Sequence, residues 1–318
     1  THINPDGDGI GSEVAFARWL ESLGKSVRIL NDSVTPSAFL FLTDENPIEV
    51  FEAEPAERRF AEADALVVLD TSNRQRIGRL APLIDRHEIT VGVIDHHVTH
   101  AQGFGQVNVI EPEVAATGEL IYDLIREAGG ALDRTTGQAL YVALMTDTGG
   151  FRYSNTDSHA HRMAAELLGL GLDPEELHAR VHANAPAGRL RFFGEALAGL
   201  EVLEEGRLIV LEVAPEQFQR HGLVGADTEG LVDMPRAIAG VEVVALFSEV
   251  ESGKVKVSLR STGRVSIDQV CSRLGGGGHP HAAGVLLRGT RQQARERILP
   301  GLRALLELPA EAGDAGRS

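Results

Sequence analysis

The sequence is poor in cysteine and contains no long apolar run. Its one cysteine, Cys271, cannot form a disulfide within the chain; this fits a reducing compartment, and we expect the protein in the cytoplasm. No apolar stretch approaches the roughly 20 residues that span a bilayer, so the sequence predicts no membrane association. No signal peptide is visible, yet an apolar strand would normally lead into His2, and whether the N-terminus at Thr1 is trimmed stays open.

Positive charge is also scarce. The chain has 30 Lys and Arg residues against 46 Asp and Glu residues, which gives a formal net charge of −16. This balance argues against a protein that binds duplex DNA by broad neutralisation of phosphates. An acidic enzyme can still take a small phosphorylated substrate if bound metal ions reverse the sign of the potential locally.

Length and pattern predict two domains, because 318 residues are too many for a typical single core. Residues 1–183 alternate strand-like and helical segments, which predicts an α/β, doubly wound domain with a mostly parallel sheet. Residues 184–204 are predicted to form a linker helix, and residues 205–308 a smaller α+β domain with a mixed sheet. Residues 309–318 are small and polar, and we expect a frayed tail there.

Local signals place several helix boundaries. Ser12 is predicted to cap the first helix, which would continue to about Leu23. A connecting helix is predicted over residues 189–203 and another helix over residues 229–239.

Acidic and imidazole side chains collect where apolar segments end. Asp95, His96 and His97 follow an apolar run over residues 89–94, which is typical of a buried parallel strand. The triplet therefore falls at a carboxyl end, where open α/β sheets build their sites. Similar residues occur at three other places: His2, Asp6 and Asp8 near the start, Asp70 after residues 65–69, and Asp147 after residues 140–146.

Carboxylates and imidazoles without thiolates select hard to borderline cations such as Mn²⁺ or Mg²⁺. The four carboxylates Asp6, Asp8, Asp70 and Asp147 would be balanced by two divalent ions, whereas one ion leaves a surplus that raises carboxyl pKa values. Two metals about 3.5–4 Å apart form the usual clamp for displacement at phosphorus. For any one of these acids, a helix cap or a surface position is the better interpretation. For the whole set in this order, it is not.

The order of these motifs resembles the DHH phosphoesterase superfamily. The glycine-rich residues 275–284, with residues 258–261 upstream, resemble the DHH-associated C-terminal domain. Residues 69–72 and 147–156 are similar to the oligoribonuclease (nanoRNase)/3′-phosphoadenosine 5′-phosphate phosphatase subgroup. The similarity covers nearly the whole chain.

The resemblance implies a metal site with two divalent ions, Mn²⁺ first and Mg²⁺ as the alternative. Asp70 would bridge the ions. The other ligands would divide between them, one ion taking His2 and Asp6 and the second taking Asp8, His96 and Asp147. Asp95 would orient an imidazole, and His97 would face the phosphate as transition-state stabiliser or general acid. The nucleophile would be water activated by the ions.

The resemblance also implies that the second domain binds substrate. A run of four glycines removes every Cβ, so backbone N–H groups can converge on a phosphate, although a flexible tether has the same composition. The expected binding residues are Arg260, Ser261, Gly276, Gly277, Gly278 and His279. If one domain holds the scissile phosphate and the other a terminal group, short substrates fit and long polymers do not.

The implied function is Mn²⁺-dependent hydrolysis of very short oligonucleotides to mononucleotides. Removal of the 3′-phosphate of 3′-phosphoadenosine 5′-phosphate is open as a second activity. The alternatives are cleavage of cyclic di-AMP or its linear product pApA and, in another class, a non-catalytic nucleotide-binding module. A family II pyrophosphatase is disfavoured because its Ser-Arg-Lys-type motif is not found. The expected partners are short single strands or nucleotide phosphates, not duplex DNA, and a homodimer stays open.

Overall fold

The computed structural model describes residues 1–97, 102–183, 185–223, 228, 230–251 and 253–307, without the side chains of residues 251 and 279. The chain divides into two compact units, Thr1–Asn184 and Ala185–Ser318. The predicted linker over residues 184–204 and the predicted tail over residues 309–318 stay predictions, and the tail lies outside the described residues. Among the described helices, none combines the length and the apolar character that a membrane span requires.

The N-terminal unit alternates strands with helices, as the sequence pattern predicts. In chain order its elements are α1 (Gly7–Ser22), β1 (Ile29–Asn31), β2 (Ile48–Val50), α2 (Ala53–Glu62), β3 (Ala65–Leu69), α3 (Ala81–His87), β4 (Thr90–Asp95), β5 (Val107–Ile110), α4 (Thr117–Glu127), α5 (Arg134–Asp147), α6 (Ser158–Leu168) and α7 (Pro174–His182). Strand β1 pairs with β2, and β4 lies between β3 and β5; every one of these pairings is parallel. The predicted α/β class with a parallel N-terminal sheet is confirmed.

Helix α1 begins earlier than predicted, and its cap is a different residue. The side chain of Asp6 accepts hydrogen bonds from the backbone N–H groups of Asp8 and Gly9, at 3.1 Å each. Ser12 is buried inside the helix, where its hydroxyl donates to Asp8 Oδ1 at 3.1 Å. The Ser12 cap is therefore wrong, because Asp6, six residues earlier, takes the capping position.

Close backbone packing fixes α1 against α5. A Cβ added to Gly11 would lie 2.4 Å from the carbonyl oxygen of Ala139, so only glycine permits this approach. On the other side of α1, a cavity of about 590 Å³ separates β1 from β3. At the end of this cavity the amino group of Thr1 donates to Glu13 at 2.7 Å and to Asn31 at 2.9 Å.

The C-terminal unit is an α+β domain with a mixed sheet, as predicted. Its elements are α8 (Ala187–Ala198), β6 (Glu201–Leu203), β7 (Leu208–Val213), α9 (Pro215–Arg220), β8 (Val243–Glu251), β9 (Lys254–Ser261), α10 (Asp268–Ser272), β10 (Gly277–His279), β11 (Ala282–Arg288) and α11 (Arg291–Glu307). The strand order is β10-β11-β9-β8-β7-β6, and only the β7–β8 pairing in this sheet of described strands is parallel.

Two helix predictions fail in this unit. The helix expected over residues 189–203 ends at Ala198, where Gly199 follows as its C-cap, and the chain then forms β6. Of the helix expected over residues 229–239, the described part contains only a short 3₁₀ segment, Met234–Ala237. Gly230 has a φ of +79°, and Pro235 cannot donate a helical hydrogen bond, so the chain does not form a regular helix there.

Helix α5, whose last residue is Asp147, is held at its other end by Asp133. The Asp133 side chain accepts from the N–H of Thr136 at 2.7 Å and pairs with Arg18 at 2.5 Å. Burial alone would raise the pKa of Asp133, but the hydrogen bonds from Arg18 and Thr136 outweigh it and lower the pKa to about 2.

Replacing Asp133 therefore tests this end of the helix. We expect Asp133→Ala to lower the free energy of unfolding by about 1 kcal/mol, and Asp133→Asn, which still caps, to lower it by less. Because the folded-state pKa is depressed, the Asp133 contribution is present above about pH 4 and is lost as the pH falls towards about 2. Urea unfolding at neutral and acidic pH measures both effects. An Asp133→Ala defect that persists unchanged in acid would contradict this account.

Candidate metal centre

The six expected metal ligands meet at the carboxyl ends of β3 and β4. Together with His97, these residues form three groups in which every pair of ligand atoms lies within 4.8 Å. The groups are His2, Asp6 and Asp70; Asp8, His96 and Asp147; and Asp70, His96 and His97. Asp70 follows β3, His96 follows β4, and Asp147 ends α5. Asp70 and His96 come together because the parallel strands β3 and β4 end at one edge of the sheet, and the start of α1 and the end of α5 bring the other ligands there.

Asp70 belongs to two of these groups through different oxygen atoms. Its Oδ2 lies 3.3 Å from His2 Nε2, and its Oδ1 lies 3.7 Å from His96 Nε2. Asp6 Oδ2 completes the first side, 3.8 Å from His2 Nε2. On the second side, His96 Nε2 lies 3.1 Å from Asp147 Oδ2 and 3.7 Å from Asp8 Oδ2. A carboxylate with one oxygen towards each set is the arrangement that a bridging ligand requires.

The centre contains polar atoms that the protein itself does not satisfy. His2 Nε2, His96 Nε2 and Asp70 Oδ2 are buried and have no hydrogen-bond partner. Buried polar groups are normally paired, so each of these atoms indicates a missing partner. All three are atoms that bind divalent cations, and the residues therefore fit a metal centre.

The charges of the centre point the same way. Burial, then the neighbouring carboxylates, raises the pKa values of Asp8 and Asp70 well above the ordinary range. Burial lowers the pKa of His96, but the carboxylate of Asp147, 3.1 Å from Nε2, and the charges of Asp8 and Asp70 outweigh this and raise it to about 10. The centre therefore favours the binding of positive charge, which divalent cations would supply.

The backbone at Asp70 is strained. Its φ is +61°, in the left-handed region that few residues other than glycine adopt, and its N–H donates to the carbonyl oxygen of Ile94 at 2.9 Å. Strain of this kind costs on the order of 1–3 kcal/mol and persists only where the surroundings hold it. The turn after β3 therefore holds this carboxylate in its place between the two groups.

Helix α4 supplies a contact that the sequence did not reveal. The N–H groups of Thr117 and Gly118 donate to Asp8, at 2.6 Å and 2.8 Å, and the Thr117 hydroxyl donates to Asp70 Oδ1 at 3.0 Å. The positive end of a helix thereby faces the buried carboxylates. A Thr-Gly pair at a helix start just after a strand was the available signal, although it is a weak one.

Asp95 holds the ring of His97. Asp95 Oδ1 accepts from the backbone N–H of His97 at 3.1 Å and lies 2.7 Å from His97 Nδ1. Burial alone would raise the pKa of Asp95, but these bonds and one from Ser72 lower it to about 2. The Nδ1 atom also lies 3.6 Å from Asp70 Oδ1, which places the ring beside the metal ligands.

The expected substrate-binding residues of the second unit have varied surroundings. Arg260 is partly exposed, with its Nε atom 3.3 Å from Asp233 Oδ1. Ser261 is fully buried, and its hydroxyl accepts from the N–H of Gly263 at 3.1 Å. The N–H of Gly276 donates to the carbonyl oxygen of Cys271 at 2.9 Å and is already used.

The glycine run forms an edge strand rather than a loose loop. A Cβ on Gly276 would lie 2.2 Å from the carbonyl oxygen of Gly284, and one on Gly278 would lie 2.3 Å from that of Ala282. Gly277 and Gly278 belong to β10, which pairs with β11. The backbone of His279 ends this strand, while its side chain lies outside the described part. The flexible-tether interpretation is therefore wrong.

An α/β domain with this cage of carboxylates and imidazoles defines a metal-dependent phosphoesterase. Comparison with known families agrees with this class. The profile of the DHH family, N-terminal domain, matches residues 1–145, and that of the DHHA1 domain matches residues 205–307. The chain belongs to the DHH family, which confirms the resemblance.

Individual relatives extend the similarity over nearly the whole chain. The chain is 36% identical, over 95% of its length and 88% of the relative's, to the bifunctional oligoribonuclease and PAP phosphatase NrnA of Thermus thermophilus. The Bacillus subtilis protein of the same name is 24% identical over 96% of this chain and 92% of its own length. A solved exopolyphosphatase-related protein from Bacteroides fragilis matches with a TM-score of 0.90 and 27% identity, covering 95% of this chain and 90% of that one.

The Thr117 hydroxyl offers a test of the centre. We expect Thr117→Val, which keeps the shape and the backbone N–H, to weaken Mn²⁺ binding about 10–100-fold, because Asp70 loses the bond that orients it. Thr117→Ser keeps the hydroxyl and should bind nearly as the parent does. Isothermal titration with Mn²⁺ measures both variants, and circular dichroism checks that they are folded. Equal affinity of the valine variant and the parent would show that this contact does not orient the ligand.

Proposed function

We propose that this protein is a Mn²⁺-dependent phosphodiesterase that hydrolyses very short oligonucleotides to mononucleotides, and that it also removes the 3′-phosphate of 3′-phosphoadenosine 5′-phosphate. The observation that carries the proposal is the position of Asp70, whose two oxygens face two separate ligand groups. The names of the Thermus and Bacillus relatives support the substrate class.

In this proposal two ions occupy the centre. His2 and Asp6 would hold one ion, Asp8, His96 and Asp147 would hold the other, and Asp70 would contribute to both. When bound, the ions would neutralise phosphoryl charge and lower the pKa of water, so that a nucleophile exists near neutral pH. Mg²⁺ is the alternative metal, because carboxylate oxygens suit both ions while the imidazoles favour Mn²⁺.

His97 is the proposed acid or stabiliser at the phosphate. Asp95 is ionised at neutral pH and fixes Nδ1 of the ring at 2.7 Å. An imidazole held in this way keeps one orientation, so it can stabilise a developing negative charge or donate a proton to a leaving oxygen.

The second domain is proposed to bind the substrate through Arg260, Ser261, His279 and the glycine-rich residues Gly276, Gly277 and Gly278. Arginine suits this task because its planar guanidinium donates two parallel hydrogen bonds to a phosphate. Duplex DNA is not a proposed partner, since the charge of −16 opposes it. The buried free thiol of Cys271 fits a cytoplasmic protein. Two copies of the chain are proposed to form a homodimer.

The pairing of Asp95 with His97 predicts a loss of turnover without a loss of metal. We expect Asp95→Asn to lower kcat about 10–100-fold, because the amide cannot stabilise a charged His97 ring. The KM and the Mn²⁺ affinity should change much less, since Asp95 is not among the expected ligands. Steady-state kinetics on a dinucleotide separate these terms. If Asp95→Asn kept the parental kcat, the proposed role of His97 would be wrong.

A substrate panel tests the function itself. Dinucleotides, longer single strands, 3′-phosphoadenosine 5′-phosphate, cyclic di-AMP, pApA and pyrophosphate are compared with Mn²⁺ and with Mg²⁺. We expect the fastest turnover on dinucleotides with Mn²⁺, and none by Asp70→Ala. The matched control Asp85→Ala removes a carboxylate that is 71% exposed and should stay active. Turnover of a long RNA as fast as a dinucleotide would overturn the length limit, and binding without hydrolysis of any substrate would favour the nucleotide-binding module.

A further inference from the structure

The backbone that leads into α4 contacts three of the expected metal ligands. The Nδ1 atom of His96 lies 3.3 Å from the carbonyl oxygen of Val114, and because that oxygen can only accept, Nδ1 carries the hydrogen and Nε2 is left to face the centre. The first two N–H groups of α4 donate to Asp8, and the hydroxyl of its first residue donates to Asp70. Residues 114–118 thus orient ligands that come from three different elements.

Ala115 holds this segment in place through both polar groups of its backbone. Its N–H donates to Glu119 Oε2 at 2.9 Å, and its carbonyl oxygen accepts from Asn155 Nδ2 at 3.0 Å. Ala115 and Glu119 are buried, so the loss of either bond leaves a buried polar group unsatisfied. Glu119 lies in α4 itself, whereas Asn155 comes from the chain after α5. Asn155 therefore joins the segment to another part of the fold.

The same amide also contacts the residue that ends α5. Asn155 Nδ2 donates a second hydrogen bond, at 3.2 Å, to the carbonyl oxygen of Asp147. The last carbonyl oxygens of a helix have no partner within the helix, so this bond fixes the end of α5. An amide nitrogen carries two hydrogens, and both bonds can form together. The carboxylate of Asp147, 3.1 Å from His96 Nε2, is thereby connected to the segment that orients His96.

The chain around Asn155 gives its amide little freedom. Before it, the N–H groups of Arg152 and Tyr153 both donate to the carbonyl oxygen of Thr148, at 2.9 Å and 3.0 Å. After it, the side chain of Asp157 accepts from two N–H groups at the start of α6, at 2.8 Å and 2.9 Å. Asn155 thus lies between a closed turn and a capped helix, and its side chain donates from a fixed position.

The other side of the centre is held by different contacts. His2 Nδ1 lies 2.9 Å from the carbonyl oxygen of Ile3, and the N–H of Ile3 donates to the carbonyl oxygen of Arg76 at 2.7 Å. Asp6 is fixed by the N–H groups that it caps at the start of α1. Among the described residues, neither hydrogen bond of Asn155 reaches this side.

We propose that Asn155 is a positioning residue for the ion that Asp8, His96 and Asp147 would hold. By joining Ala115 to the end of α5, it sets the position of the Asp147 carboxylate relative to the other two ligands. The proposal rests on the two-ion centre of the proposed function, and it predicts that loss of the amide weakens the binding of one ion and not of the other. Its test therefore measures the binding of each ion directly.

The first arm is isothermal titration of Asn155→Leu with Mn²⁺. Leucine keeps the branched shape of asparagine but donates no hydrogen bond. The parent is expected to bind two ions, and the variant to bind one of them as the parent does and the other about 10–100-fold more weakly. The matched control is Asn108→Leu, which removes another asparagine that bonds two backbone groups, those of Gly105 at 3.0 Å and 2.8 Å, and which should keep both affinities. Circular dichroism checks that each variant is folded.

The second arm uses a smaller and a conservative substitution. Turnover of a dinucleotide is followed as the Mn²⁺ concentration rises. For Asn155→Ala the half-saturating concentration should increase about 10–100-fold, and for Asn155→Gln, which keeps the amide donor on a longer side chain, it should lie between those of Asn155→Ala and the parent. A residue that only stabilises the fold would leave the half-saturating concentration unchanged, and that result would overturn the proposal.

The titration also separates this proposal from the function on which it rests. Parental affinities in Asn155→Leu, or an equal loss for both ions, would overturn the positioning role alone. A parent that binds a single ion would overturn the two-ion centre and the positioning role together.

Discussion

The site depends on the carboxylate of Asp70 and the charge gathered around it. This group is buried, its backbone lies in the left-handed region, and its two oxygens face separate sets of ligands. Each of these features costs free energy by itself. Burial disfavours the ionised carboxylate, and the side chain of Asp70 disfavours the left-handed backbone conformation. They become consistent when divalent cations bind at the centre, since positive charge then stabilises the buried carboxylate. The buried Nε2 atoms of His2 and His96 have no hydrogen-bond partner, and bound cations would satisfy these atoms as well.

The protein supplies part of the missing positive charge from its backbone. The N–H groups at the start of α1 face Asp6, and those at the start of α4 face Asp8. Helix N-termini carry roughly half a positive charge each, so two of them offset about one of the four carboxylates. Bound cations would supply the rest. The backbone N–H groups of the two helices thus stabilise and orient the carboxylates of the centre, while bound ions would determine its reactivity.

The ligand positions could be predicted because they follow a simple rule of parallel sheets. Asp70 and His96 come directly after β3 and β4, and the ends of adjacent parallel strands are neighbours whatever the loops do. Thr117 could not be predicted in the same way, since its contacts to Asp8 and Asp70 depend on where α4 begins in space. The helix expected over residues 229–239 failed for a local reason, because Gly230 and Pro235 interrupt a helical pattern of apolar residues.

The glycine-rich segment shows how one motif serves packing before it serves binding. Gly276 and Gly278 lie against neighbouring carbonyl oxygens, so their missing Cβ atoms are already required by the pairing of β10 with β11.

Arg260 lies close to this segment in the sheet. Ala282 of β11 pairs with Arg260 on one side and with His279 on the other. The guanidinium of Arg260 contacts Asp233 and the carbonyl oxygen of Leu259, but with five N–H donors it can keep both contacts and still donate to a phosphate. An arginine already oriented by Asp233 loses less conformational entropy on binding than a solvated side chain does, and this favours Arg260 over the exposed Lys256 of the same strand.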